Sequence, residues 1–143
     1  MYILDSDVLT IVNGGRRSTN VMTWYGSVDE TDVYLSVIAI FEKSRNAATL
    51  TKKGDPRFAA LAEWTLATLK RIFADRILAI DAAAAEDWGR MLGAKDKHTF
   101  DTAIAAIAKQ YNFTVVTRNV SDYVERGVTV LDPFKNPPKI TNP

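Results

Sequence analysis

Tyr2-Ile3-Leu4-Asp5-Ser6-Asp7-Val8-Leu9 changes its periodicity halfway along. Residues 2–4 are apolar and read as a short strand. Beyond Asp5, the apolar residues Val8, Leu9, Ile11 and Val12 recur at helical steps. A strand that ends in an acid and turns at once into a helix is the opening of a βα unit. Asp5 suits the N-cap of that helix, and Asp7 suits its first turn, where the helix dipole favours negative charge. Capping alone accounts for one acid and leaves the pair Asp5 and Asp7 without a reason.

The same alternation continues outward. Strands are expected at residues 33–37, Ile77 to Ile80, Thr114 to Thr117 and Val128 to Leu131. Between them, Ile38 to Ala48 reads as a helix. From Pro56 to Arg76, Phe58, Leu61, Ala62, Leu66, Leu69, Ile72 and Phe73 form one apolar stripe, with Pro56 placed for a first turn. Asp81 to Leu92 is a further helix with Asp81 as N-cap, and Asp101 opens an alanine-rich one. Gly14-Gly15-Arg16-Arg17 is a loop. Alternating strands and helices predict an α/β fold with a parallel sheet covered on both faces. Ligands of such sheets bind beyond the carboxyl ends of the strands. Residues 1–135 are expected to form one domain and residues 136–143, with Pro137-Pro138, an irregular tail.

Composition narrows the chemistry. The 143 residues suit one core, and a formal net charge of +1 neither demands nor excludes a nucleic-acid partner. There is no cysteine, so disulfides, thiolate zinc sites and a thiol nucleophile are excluded, which fits a reducing cytoplasm. Asp5 and Asp7 interrupt the first apolar run, unlike a signal peptide, and no stretch is long and apolar enough to span a membrane.

Four acids stand where a metal-dependent nuclease needs them. Asp5 closes the first strand. Glu42 lies in the helix after the second, with Arg45 three residues on; a Glu42–Arg45 surface pair is the bland alternative. Asp101 borders the stripe of Phe100, Ile104, Ile107 and Tyr111, or is simply a first-turn acid. Asp122 follows the last-but-one strand, where it equally suits a short helix. Brought together, such acids repel unless a cation lies among them. Thr117 and Asn119 are placed to orient them, or merely to end a strand. His98, alone in a Lys-rich loop (Lys95-Asp96-Lys97-His98), reads as a solvated residue. Trp24, Trp64 and Trp88 read as core or interface anchors.

Taken in order, these segments resemble the PIN-domain ribonucleases, specifically the VapC/FitB-like toxins of bacterial toxin–antitoxin pairs. The resemblance is carried by Ile3-Leu4-Asp5-Ser6-Asp7-Val8-Leu9, by Leu35-Ser36-Val37-Ile38 leading to Glu42, and by Asp101-Thr102-Ala103-Ile104-Ala105-Ala106. The closing block is Val115-Val116-Thr117-Arg118-Asn119-Val120-Ser121-Asp122-Tyr123 with Val130-Leu131-Asp132-Pro133-Phe134. Asp7 departs from the usual Asn, Glu42 lacks the common following Leu and Gly, and the usual proline before Asp101 is missing. The resemblance implies a three-layer α/β/α domain with a five-stranded parallel sheet. It implies that Asp5, Glu42 and Asp101, with Asp122 as a looser contributor, hold Mg²⁺ or Mn²⁺, with Asp7, Thr117 and Asn119 in support. It further implies hydrolysis of RNA by an activated water, a cytoplasmic antitoxin-bound toxin and a homodimer. Arg16, Arg17, Lys43, Arg45, Lys95, Lys97 and Arg118 flank the motifs and are candidate phosphate contacts, though any one of them is ordinary surface charge. Tyr25, Phe58 and Trp64 are candidate partner contacts, with a core role the stronger reading for each.

Three rivals make different use of the same residues. A haloacid-dehalogenase-like phosphatase would use Asp5 and Asp7, but Leu9 breaks its pattern and no late acidic pair follows a strand. A response-receiver domain would use Asp81, Thr117 and Lys135, leaving Glu42 and Asp101 idle. A PIN-like module that binds nucleic acid or protein without cutting would have no need of intact acids.

Overall fold

The computed structural model describes residues 1–94 and 97–143. Its sheet has six strands: β1 (Tyr2–Leu4), β2 (Val33–Ser36), β3 (Ile77–Leu78), β4 (Thr114–Val116), β5 (Val130–Asp132) and β6 (Lys139–Thr141). They run in the order β3-β2-β1-β4-β5-β6. The first five are parallel, as expected. The sixth corrects the five-stranded expectation. β6 pairs antiparallel with β5, Leu131 opposite Ile140, inside the stretch expected to be irregular.

Register explains how three residues per strand build two cores. Ile3, Val115 and Val130 lie side by side across β1, β4 and β5, and Leu4, Val116 and Leu131 form the next row. Successive strand residues point to opposite faces. The first row accordingly packs with Ile104, Ile107 and the buried alanines on one side. The second packs with Val8, Leu9, Trp24 and Leu69 on the other. All six are at most 5% exposed, so the central strands are buried on both faces, as a helix-covered parallel sheet requires.

Helices α1 (Ser6–Val12), α2 (Thr19–Ser27) and α4 (Pro56–Ile72) supply the layer around Leu4. Helices α5 (Ala82–Leu92) and α6 (Thr99–Tyr111) supply the layer around Ile3. Between them α3 (Val37–Lys52) serves both, with Ala39 in one core and Ile38 in the other. Ala103, Ala105, Ala106 and Ala108 of α6 are all within 1% of full burial, which lets this helix lie close on the sheet. Asp81 caps α5 by accepting from the Ala84 N–H at 2.9 Å.

α4 departs from its expected role. Of its stripe, Leu69 and the following Phe73 are buried, but Phe58 is 59%, Leu61 56% and Ile72 47% exposed. Trp64 is 64% exposed, so neither Phe58 nor Trp64 is a core residue; Tyr25 is half-buried against Trp24. Trp24 is a core residue, and the Trp88 indole donates to the Thr99 carbonyl at 2.9 Å. Among the described residues, no helix is long and apolar enough to cross a membrane.

Candidate metal centre

The carboxyl ends of the parallel strands bring distant acids to one place. Asp5 follows β1 directly and is 6% exposed. Its backbone N–H continues the sheet by donating to the Val116 carbonyl at 3.0 Å. Its side chain accepts from the Ser6 N–H at 2.7 Å, so it does cap α1. Its other oxygen accepts from the Thr117 hydroxyl at 2.8 Å, one residue past β4. Capping and site placement are therefore the same geometry: the cap turns the carboxylate to the end of the sheet.

The other acids close around it. Glu42 on α3 accepts from the hydroxyl of Ser6, the residue next to Asp5. Asp101, in the first turn of α6, and Asp122, on a 3₁₀ turn spanning Val120–Asp122, have side chains 29% and 23% exposed. Asp7 bridges elements by accepting from the Val8 N–H at 2.6 Å and the Arg118 N–H at 3.0 Å. A cavity of about 360 Å³ opens onto Glu42, Lys97, His98, Phe100 and Asp101.

Burial and mutual repulsion make this cluster uncomfortable as bare anions. Burial pushes the Asp5 carboxyl above its ordinary range; hydrogen bonds from Thr117 and Ser6 and the approach of Tyr123 oppose this, and Asp122 adds to it. Burial likewise raises Asp7, opposed by the Arg118 N–H and reinforced by Asp5. Asp101 is raised by burial, then by Asp5 and Asp122. Tyr123, 1% exposed, brings its buried hydroxyl toward Asp5 without completing a hydrogen bond of ordinary geometry. Its acidity is suppressed well beyond the ordinary phenol range by burial and then by the Asp5 charge. Desolvated acids plus an orphaned buried hydroxyl fit a hydrated hard cation, whose charge and waters answer both costs.

The remaining residues have varied placements. Thr117 reaches Asp5, while Asn119 contributes its backbone N–H, donated to the Thr117 hydroxyl at 3.0 Å. Lys43 is half-buried beside Thr10, at 3.4 Å from its hydroxyl, and burial lowers its pKa. Arg45 lies 5.5 Å over both the Phe41 and the Phe100 rings, instead of pairing with Glu42. Arg118 lies 4.5 Å over the Phe134 ring. Arg16 and Arg17 line a separate cavity of about 620 Å³ with Ile11 and Met22. Lys95 lies outside the described residues. Asp81, the receiver rival's acceptor, is spent on capping α5 and on the Gln110 amide, which hold its pKa down.

Sequence reading passes over His98. Its Nδ1 is 3.3 Å from Asp101 and 3.7 Å from Asp122, so it faces the acids. The available signal was its position three residues before an acid at a helix start, where side chains meet across the first turn.

Comparison with known proteins identifies the chain's relatives. A family model described as PIN domain matches residues 2–121. Toxin FitB of Neisseria gonorrhoeae is 29% identical over 139 residues, covering 94% of this chain and 99% of that protein. Plasmid stability protein StbB of Pseudomonas syringae pv. tomato is 28% identical over 143 residues, with 94% and 99% covered. The crystal structure of FitAcB from Neisseria gonorrhoeae contains a chain that superposes with a TM-score of 0.77 at 29% identity, covering 94% of this chain and 99% of that one.

Proposed function

This chain belongs to the PIN-domain family, and from that premise we propose that it is a metal-dependent endoribonuclease, the toxin of a toxin–antitoxin pair. The observation that supports the reading is the gathering of Asp5, Asp101 and Asp122 at one end of the sheet, where burial raises Asp5 and Asp101 and Asp122 adds to both, with Glu42 joined to Ser6 beside Asp5.

Asp5, Glu42, Asp101 and Asp122 would hold Mg²⁺ or Mn²⁺ through oxygen, the donor such ions prefer. Bound there, the ion supplies positive charge to an RNA phosphate and acidifies the attacking water. The chain's own groups do the rest. Ser6 and Thr117 fix the rotamers of Glu42 and Asp5, and Asp7 ties the α1 end to the Arg118 loop. Lys97, which lines the cavity with Glu42 and Asp101, would draw in the phosphate backbone with help from Lys43 and Arg45 of α3, so binding weakens as salt rises. Arg118, whose N–H meets Asp7, and Arg16 and Arg17, in their separate cavity, would add further positive charge.

Incubation of the purified protein with single-stranded RNA tests this. Cleavage requires Mg²⁺ or Mn²⁺, stops with excess chelator, and is absent from Asp101→Asn. RNA retained intact in the presence of metal identifies a binding module instead, and turnover of small phosphomonoesters a phosphatase.

The exposed face of α4 is the place for the partner. Phe58 and Leu61, with Lys43, Asn46, Leu50, Ala62 and Thr65, line a cavity of about 200 Å³ that begins one residue from Glu42. A neutralising protein would lay an apolar segment on Phe58, Leu61 and Trp64, along the cavity that Lys43 of α3 also lines. Trp64→Ala is expected to leave stability within about 0.5 kcal/mol of wild type, as exposed substitutions do. Cleavage should also be unchanged, while affinity for the co-expressed partner falls at least about tenfold. Unchanged affinity moves the partner elsewhere. A lower mass of the isolated variant in light scattering reassigns the face to a homodimer.

A further inference from the structure

The geometry points to His98 as a nitrogen ligand of the divalent ion, completing a His98–Asp101–Asp122 set and tilting the site toward Mn²⁺ over Mg²⁺. This rests on the metal-site reading above and adds a residue that reading does not use.

His98 stands immediately before α6, where a side chain ordinarily caps the helix, yet it makes no capping hydrogen bond. Its ring is turned to the acids instead. One donor atom from each of His98, Asp101 and Asp122 lies within 4.8 Å of the others. Adjacent ligands of an octahedral ion with bonds of about 2.1 Å stand about 3 Å apart, and opposite ligands about 4.2 Å. The observed 3.3 Å and 3.7 Å from Nδ1 thus need only small contractions to become edges of one coordination shell.

The backbone that carries the ring is anchored. The His98 carbonyl accepts from the Thr102 N–H at 2.9 Å and the Thr102 hydroxyl at 2.6 Å, and Thr102 is fully buried. The next carbonyl, of Thr99, is held by the Trp88 indole. These bonds fix the backbone position from which the ring reaches the acids. An independent observation is the Tyr123 hydroxyl, 1% exposed, turned to Asp5 without a hydrogen bond of ordinary geometry, and close enough to Asp5 and Asp101 to feel both charges. A water of hydration on the ion would give it one.

Imidazole nitrogen suits the later divalent metals, whereas Mg²⁺ keeps to oxygen. Removing the nitrogen should therefore cost Mn²⁺ more than Mg²⁺. Pulsed electron paramagnetic resonance of the full chain loaded with Mn²⁺ is expected to show coupling to a directly bound ¹⁴N. That coupling should vanish in His98→Ala and His98→Gln, both melting with the wild type. Calorimetric Mn²⁺ affinity should fall about tenfold or more, and Mg²⁺ affinity less than threefold, so the Mn²⁺:Mg²⁺ ratio drops. Mn²⁺ bound to wild type without ¹⁴N coupling, or equal losses for both ions, overturns the proposal and leaves His98 as a first-turn contact of Asp101. No Mn²⁺ uptake by wild type overturns the metal site itself.

Discussion

Asp5→Asn should abolish RNA cleavage and stabilise the protein at the same time. Removing a carboxylate from the proposed metal site takes about 4 kcal/mol or more from the reaction barrier, a loss of about 1,000-fold or more in rate. Stability moves the other way because the wild-type side chain is a buried anion among Asp7, Asp101 and Asp122. Asn keeps an oxygen for the Ser6 N–H and is itself a good N-cap. The sign follows from linkage. A carboxyl raised above its unfolded value of 3.8 favours folding fully below that value. The contribution is lost as pH climbs through the raised folded value. Chelated wild type should therefore lose stability as pH rises from about 3.8 through the raised range of Asp5, Asp7 and Asp101. Asp5→Asn should show a shallower decline and a higher melting temperature at pH 8. Urea titrations across pH with chelator present measure this. An Asp5→Asn variant less stable than wild type at pH 8 would show that hydrogen bonding of the ionised carboxylate outweighs its burial.

The second large effect lies in the strand that presents Asp5. Ile3 and Leu4 are both fully buried, in different cores on opposite faces of the sheet. Each Ala substitution should cost about 3 kcal/mol, since both remove three carbons from closed packing. With no partners shared across the sheet, the double variant should approach the sum and use most of a small domain's stability. Denaturant midpoints measure all three. A cost below about 1 kcal/mol at either position would mean that its face of the sheet is not sealed.

The five parallel strands and their helices are readable in the sequence because each is fully committed to one period. Ile3-Leu4, Val115-Val116 and Val130-Leu131 are continuous apolar pairs, as strands covered on both faces must be. β6 carries no such sign: Lys139 and Ile140 are exposed, and only pairing with β5 makes the segment a strand. The outward turn of Phe58, Leu61 and Trp64 is equally hidden, because periodicity finds an apolar stripe and says nothing about what covers it. At the site, Asp5 and Asp101 are found from their element boundaries. The Ser6–Glu42 contact, the Tyr123 hydroxyl and the direction of His98 depend on tertiary approach, and no local pattern records that.

The bond from Thr117 to Asp5 joins positions 112 residues apart, and β1 cannot gain its β4 neighbour before residue 114 is synthesised. A nascent chain therefore carries Asp5 on an unfinished sheet until β4 has been added. A polypeptide cut short before β4 has Asp5 and Glu42 but no assembled cluster. Under the proposed activity, closure of the sheet from distant segments withholds the capacity to cut until β4 and the turn carrying Asp122 have joined β1.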